Sequence, residues 1–264
     1  AAGTLTADAA SALGLATSVV VGPGTGDNMG AALGLGLQPG DIVMSLGTSG
    51  TIYGVSSAGT ADISGAVAGF ADASGSFLPL VCTLNATKVT DTVARWLGTD
   101  APGLSDLALA ATARPDGPIL VPYFDGERTP NLPDATGTFA GLRNDTTRED
   151  LALAAHDGVV CGLLDGLDAL VDAGLQRTGR LMLIGGGARS AAYRQRVATL
   201  AGTAVTVPDA DETVATGAAS QAGAVVSGRP LADLATAWRL GSGTEIDSQP
   251  DTGDTRARYA AAAG

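Results

Sequence analysis

With 264 residues, 45% hydrophobic and 16% charged, the chain can build one large domain or two small ones, which excludes disorder throughout. A formal charge of −12, with Lys88 the one lysine among 15 basic residues and no basic stripe, argues against nucleic acid as a partner. Cys82 and Cys161 are too few and too far apart for a zinc site or a disulfide framework, so a reduced, cytoplasmic protein is expected. No run reaches the roughly 18 apolar residues of a membrane span, and Ala1–Thr4 has no basic signal-peptide region, so no membrane partner is expected.

In chain order, residues 6–14 predict a short helix, and Thr17–Val21 a strand. That strand runs into Gly22-Pro23-Gly24-Thr25-Gly26-Asp27-Asn28, and a small-residue helix follows to about Leu37. Ile42–Leu46 and Thr51–Val55, joined by Gly47-Thr48-Ser49-Gly50, read as a hairpin. Val67–Phe70 and Ser76–Val81 add strands, and Leu84–Leu97 and Leu104–Ala113 add helices. Ile119–Tyr123 is a short strand that feeds Asp125-Gly126-Glu127-Arg128-Thr129-Pro130. Thr147–Ala173 is the longest helix, striped by Val160, Leu163, Leu164, Leu167, Leu170 and Val171. Leu181–Ile184 is a strand into Gly185-Gly186-Gly187, followed by helix 191–201, strand 204–207 and helix 214–227. Residues 241–264 read as a loose polar tail, which leaves a domain over 1–240. Strands alternating with helices after an early hairpin indicate a layered α/β domain.

Several chemistries are excluded by pattern. Lys88 follows Thr87, not the glycine of a Walker A loop; Met29 replaces the third glycine of a Rossmann fingerprint; Ser49 is not in a Gly-x-Ser-x-Gly elbow. His156, the one histidine, lies on the apolar stripe and reads as a packed residue. Asp27 has two readings. It is a helix N-cap, or it is a general base for phosphoryl transfer, where positioning and charge neutralisation dominate. Gly47, Thr48 and Ser49 form an ordinary hairpin tip or wrap phosphate oxygens; the three glycines form a tight connection or admit a ligand to the backbone. Glu127 and Arg128 form a loop salt bridge or face a substrate. Asp72, Asp125 and Asp157 read most simply as solvated or capping carboxylates.

The order of four segments is more specific than any one. Gly24-Thr25-Gly26-Asp27-Asn28, Ser45–Gly50, Pro122–Pro130 and Leu183–Ser190 together resemble the C-terminal half of an FGGY-family carbohydrate kinase. The Gly-Asp-Asn turn and Gly-Glu-Arg-Thr-Pro loop are most similar to members that phosphorylate xylulose. The resemblance implies an actin-like (ribonuclease H-like) ATPase domain, a mixed sheet with helices on both faces. It implies ATP and Mg²⁺, with Asp27 as catalytic base and Gly47, Thr48 and Ser49 at the phosphates. Gly186, Gly187, Ala188, Ser190 and Arg194 would meet the nucleotide, and Asn28, Glu127 and Arg128 would border the sugar. No metal-ligating residue is assigned. The family's N-terminal domain, with its Asp-x-Gly-Thr loop, is not found in the 26 residues before Asp27. That domain is therefore expected as a missing partner, beside the sugar itself; a homodimer also stays open.

Overall fold

The computed structural model describes all residues, Ala1–Gly264. In order it contains β1 (Gly3–Thr4), α1 (Ala7–Leu13), β2 (Val20–Val21), α2 (Asp27–Gly34), β3 (Ile42–Leu46) and β4 (Gly50–Gly54). Then come β5 (Ala68–Ala71), β6 (Phe77–Thr83), α3 (Thr87–Trp96), α4 (Ala101–Ala110), β7 (Ile119–Val121), β8 (Thr138–Ala140) and α5 (Arg148–Asp172). The chain finishes with β9 (Leu181–Ile184), a 3₁₀ turn at Gly186–Arg189, α6 (Ala191–Ala201), β10 (Val205–Pro208), α7 (Thr213–Ser227), α8 (Leu231–Ala237), β11 (Gly243–Ile246) and α9 (Thr255–Ala263).

Seven strands form a mixed sheet in the order β11-β10-β9-β3-β4-β6-β5. β9 lies parallel to both β3 and β10, while β3, β4, β6 and β5 form an antiparallel meander. Alternation along each strand divides the core between two faces. Ile42, Met44, Leu46, Ile52 and Val81 face α5 and its Leu163, Leu164 and Leu167. Val43, Tyr53, Leu80 and Met182 face α2 through Ala32 and Leu35. The long helix starts at a reciprocal cap: Asp150 N donates to Thr147 Oγ1 (3.2 Å), and Thr147 N donates to Asp150 Oδ2 (3.0 Å).

α2 is held by α7 through bare backbone. A Cβ at Gly34 would lie 1.9 Å from Thr213 O, and one at Gly217 would lie 1.9 Å from Gly30 O. Only glycine permits this approach.

Three expectations need correction. The strand before the glycine turn shrinks to Val20–Val21, which pairs with Gly3–Thr4 outside the main sheet. Residues 241–264 are not a loose tail. β11 pairs antiparallel with β10, and α9 buries Tyr259 beside Tyr123 and Cys161. An edge strand needs hydrogen bonds on one side only, so exposed polar side chains do not prevent it. Asp157 is also not solvated. It is buried and paired with Arg196 at 2.5 Å.

His156 is 1% exposed, with Nδ1 donating to Ala152 O (2.8 Å) and its ring 4.5 Å from that of Tyr193. Burial lowers its pKa from 6.5 to about 4. The folded state thus disfavours the proton that the unfolded chain takes up below 6.5. The stability His156 contributes is complete above pH 6.5 and is lost as the pH falls toward about 4. Burial raises Asp157 to about 6 and so acts in the opposite direction, favouring the folded state on acidification. Comparison of variant and parent cancels that second contribution. Between pH 7 and 4.5 the parent should lose about 2–3 kcal/mol more than His156→Gln, read by urea denaturation at each pH. Equal losses would show that the imidazole does not stay neutral in the fold.

Candidate active site

β3 and β9 are parallel, and the chain leaves both at the same end of the sheet. Ser45 pairs with both Thr51 and Ile184, and Thr51 pairs with Cys82, so these four form one row across β9, β3, β4 and β6. The crevice beyond carboxyl ends of strands is where open α/β sheets receive ligands. Asp27 stands there.

Asp27 is the first residue of α2, and the preceding Gly26 occupies the N-cap position without a side-chain bond. The capping reading of Asp27 therefore does not hold in that form. Its Oδ1 accepts from Asn28 N (2.8 Å) and from Asn28 Nδ2 (3.2 Å), and the side chain is exposed. Negative charge is favoured at this end of a helix. Two cavities meet at this residue. The first, about 440 Å³, is bordered by Ser45, Tyr53, Gly186, Arg194 and Asp211. The second, about 580 Å³, is bordered by Phe70, Cys82 and Arg128. Asp27 and Asn28 line both.

The β3–β4 tip exposes Thr48 and Ser49. Gly47 N donates to Ser49 O (3.1 Å), and Gly47 O accepts from Thr87 N (3.0 Å). The N–H groups of Thr48 and Ser49 make no hydrogen bond within the chain, so two backbone donors are free at the tip. The tip does not line either cavity at Asp27.

The triple glycine passes close under β3. Gly185 has φ +86°, and its Cβ would lie 2.6 Å from Leu46 O; the Gly186 Cβ position meets nothing within 4 Å. Beyond it lies a third cavity of about 510 Å³, lined by Thr87, Thr90, Ser105, Gly187, Ser190 and Tyr193. Gly186 borders both this cavity and the first. The residues expected at the nucleotide are thus divided. Gly187 and Ser190 face the third cavity, and Ala188 and Arg194 face the first. Ser190 also caps α6 by accepting from Tyr193 N (3.3 Å), and donates to Ser105 Oγ (3.0 Å). Arg194 Nε donates to Ala188 O, which fixes the guanidinium against the 3₁₀ turn.

Glu127 departs from its expected place at the sugar. It is 3% exposed; Oε1 accepts from Leu84 N (2.6 Å) and Arg128 N (2.7 Å), and Oε2 from Asn85 Nδ2 (2.9 Å). Its carboxylate ties the loop to the β6–α3 junction and forms no salt bridge with Arg128. Arg128 is exposed and lines the second cavity. Glu127→Ala should destabilise the chain by about 3 kcal/mol or more, because charge-assisted bonds are lost and buried donors are stranded. Thermal unfolding reads this; an unchanged midpoint would mean that the carboxylate does not hold the loop.

Sequence reading missed Ser45, Tyr53, Cys82, Asp211 and Glu212, all of which line the cavities at Asp27. The available signal was a hydroxyl or thiol interrupting an apolar strand, as Ser45 does between Met44 and Leu46.

Sequence comparison bears on the whole arrangement. The model described as "FGGY family of carbohydrate kinases, C-terminal domain" matches residues 42–225. The chain belongs to the FGGY family of carbohydrate kinases. Among FGGY kinases it is 49% identical to a xylulose kinase of Streptomyces coelicolor, over 87% of this chain and 46% of the relative. A xylulose kinase of Streptomyces rubiginosus is 48% identical, over 91% and 48%. The solved xylulose kinase from Bifidobacterium adolescentis is 42% identical with a TM-score of 0.81, covering 95% of this chain and 49% of that one. The chain therefore spans about half the length of the relatives it matches. The expected α/β architecture, a mixed sheet with helices on both faces, is the fold found.

Proposed function

We propose that this chain is the nucleotide-binding half of an ATP-dependent sugar kinase that converts D-xylulose to D-xylulose 5-phosphate. The observation that carries the reading is the position of Asp27, one exposed carboxylate shared by two cavities. The xylulose kinases at 49% and 48% identity support the substrate.

ATP, as its Mg²⁺ complex, supplies the phosphoryl group. Gly186, Gly187 and Ser190 would receive the nucleoside at the third cavity. The free N–H groups of Thr48 and Ser49 would take phosphate oxygens, as backbone donors in tight turns do. Arg194 and Ala188 would border the path toward Asp27. Asp27 would accept the proton of the sugar hydroxyl, with Asn28 orienting the carboxylate and Arg128 bordering the sugar in the second cavity. No group of three or more His, Cys, Asp or Glu side chains forms a cation cage in this chain. The opposing surface would come from an N-terminal domain, and closure would exclude water and align the reacting groups. No helix of the chain is long and apolar enough to cross a membrane.

A second reading, another polyol or sugar such as gluconate, ribulose or glycerol, has one observation behind it. A gluconokinase of Bacillus licheniformis is 35% identical over 42% of the chain. A third, a non-catalytic nucleotide or sugar sensor, has against it the presence of Asp27 and all four loops in the sequence. Calorimetry on the 264-residue chain should detect weak ADP-Mg²⁺ binding and negligible kinase activity. Sugar binding without ADP binding would favour the sensor. Rapid xylulose phosphorylation by the chain alone would refute the need for a second domain. A sugar panel on the two-domain enzyme decides the substrate.

A further inference from the structure

Tyr53 is the second-last residue of β4, paired with Val43 and with Leu80. Its ring packs in the core under α2 with Ala32 and Leu35, and the residue is 0% exposed. Its hydroxyl has no hydrogen-bond partner. Yet the residue lines the first cavity with Asp27, Asn28 and Ser45. Phenylalanine would fill the same packed space without burying an unpaired hydroxyl, which is unfavourable in a core. Packing therefore accounts for the ring and leaves the oxygen unexplained.

The charged and titratable groups around it are Asp27 at the start of α2, Cys82 on β6, Arg189 and Arg194 beyond β9, and Asp211 and Glu212 before α7. Burial, and then the charge of Asp27, raise the phenol's pKa well above its ordinary value. The hydroxyl thus stays a neutral donor. Asp27 is the carboxylate whose field it feels. No direct bond joins the two, and both residues line the first cavity.

We propose that Tyr53 is a positioning residue for Asp27, its hydroxyl donating to the carboxylate where both line the first cavity. The bond would restrain the carboxylate toward the cavity. This inference rests on the reading of Asp27 as the base, stated above.

The test uses the chain joined to the N-terminal half proposed for it, with Tyr53→Phe, Asp27→Asn and the double variant. Tyr53→Phe should keep or raise the thermal midpoint and leave both KM values nearly unchanged. It should lower kcat about tenfold, the equivalent of one hydrogen bond. The double variant should be no slower than Asp27→Asn alone, since a residue acting through Asp27 has nothing left to position. Parent-like kcat in Tyr53→Phe, with Asp27→Asn impaired, would overturn the role of Tyr53 and leave the base intact. A fall in the thermal midpoint would assign the hydroxyl to stability instead. Full activity in Asp27→Asn, or no sugar kinase activity in the parent, would remove the underlying reading and this inference with it.

Discussion

Asp27→Ala in the two-domain enzyme should lower turnover about 10²–10⁴-fold, the usual span for a positioned acid–base group. Nucleotide affinity should stay nearly intact. The separation of the two effects follows from geometry. The carboxylate bonds only Asn28, and the N-cap position belongs to Gly26. Removing the side chain therefore costs α2 no cap, only the favourable charge at its N-terminus, typically about 0.3–1 kcal/mol. Of the residues proposed for the nucleoside, Gly187 and Ser190 lie on another cavity wall, and Gly186 borders both cavities. Single-turnover rates and ADP titration on the same preparation check both parts. Unchanged turnover would reduce Asp27 to a residue that starts a helix.

Gly217→Ala should damage both stability and rate, although it lies on α7 and not in the site. Its new methyl would fall 1.9 Å from Gly30 O, against main chain that cannot rotate away. The helices must part, and overpacking of this kind costs about 3 kcal/mol or more. α2 would shift with Asp27 at its tip, and a displacement of about 1 Å can cost roughly 10²-fold in rate. Gly34→Ala should behave alike, since its Cβ would strike Thr213 O from the other side. Gly223→Ala on the same helix is the control. Its Cβ meets the Trp238 ring at 3.2 Å, and that side chain is 45% exposed and free to yield. Alanine also favours the helix over glycine there. Equal stability of the Gly217 and Gly223 variants would show that the helix crossing does not depend on the missing side chain.

What the sequence made legible was local. The hairpin of Ile42–Leu46 and Thr51–Val55 announces itself by two apolar runs and a polar tip, and the observed register pairs Leu46 with Gly50. The reciprocal cap of Thr147 and Asp150 is local in the same way, its partners three residues apart. The ordered loops also carried the family. Long-range facts were hidden. A glutamate between Gly126 and Arg128 reads as a loop salt bridge or a substrate contact; it is buried because Leu84 and Asn85, more than 40 residues upstream, present their N–H groups to it. β11 is an edge strand with exposed side chains, so no apolar alternation marks it. α9 is nearly all alanine and arginine, and Tyr259 alone declares its buried face. The division of the glycine loop between two cavities depends on where α3 and α6 stand, which no spacing records.

The crossing of α2 and α7 has a consequence for disorder on the scale of bond torsions. Helices that meet through leucines or methionines sample several rotamers, and the axes drift as these interconvert. At Gly34 and Gly217 the facing atoms are carbonyls and amides, which have no rotamers to sample. The entropy of that contact is settled once, by folding. The torsions left to the carboxylate at the head of α2 are then its own χ1 and χ2, so an encounter with ligand has little else to order at this point.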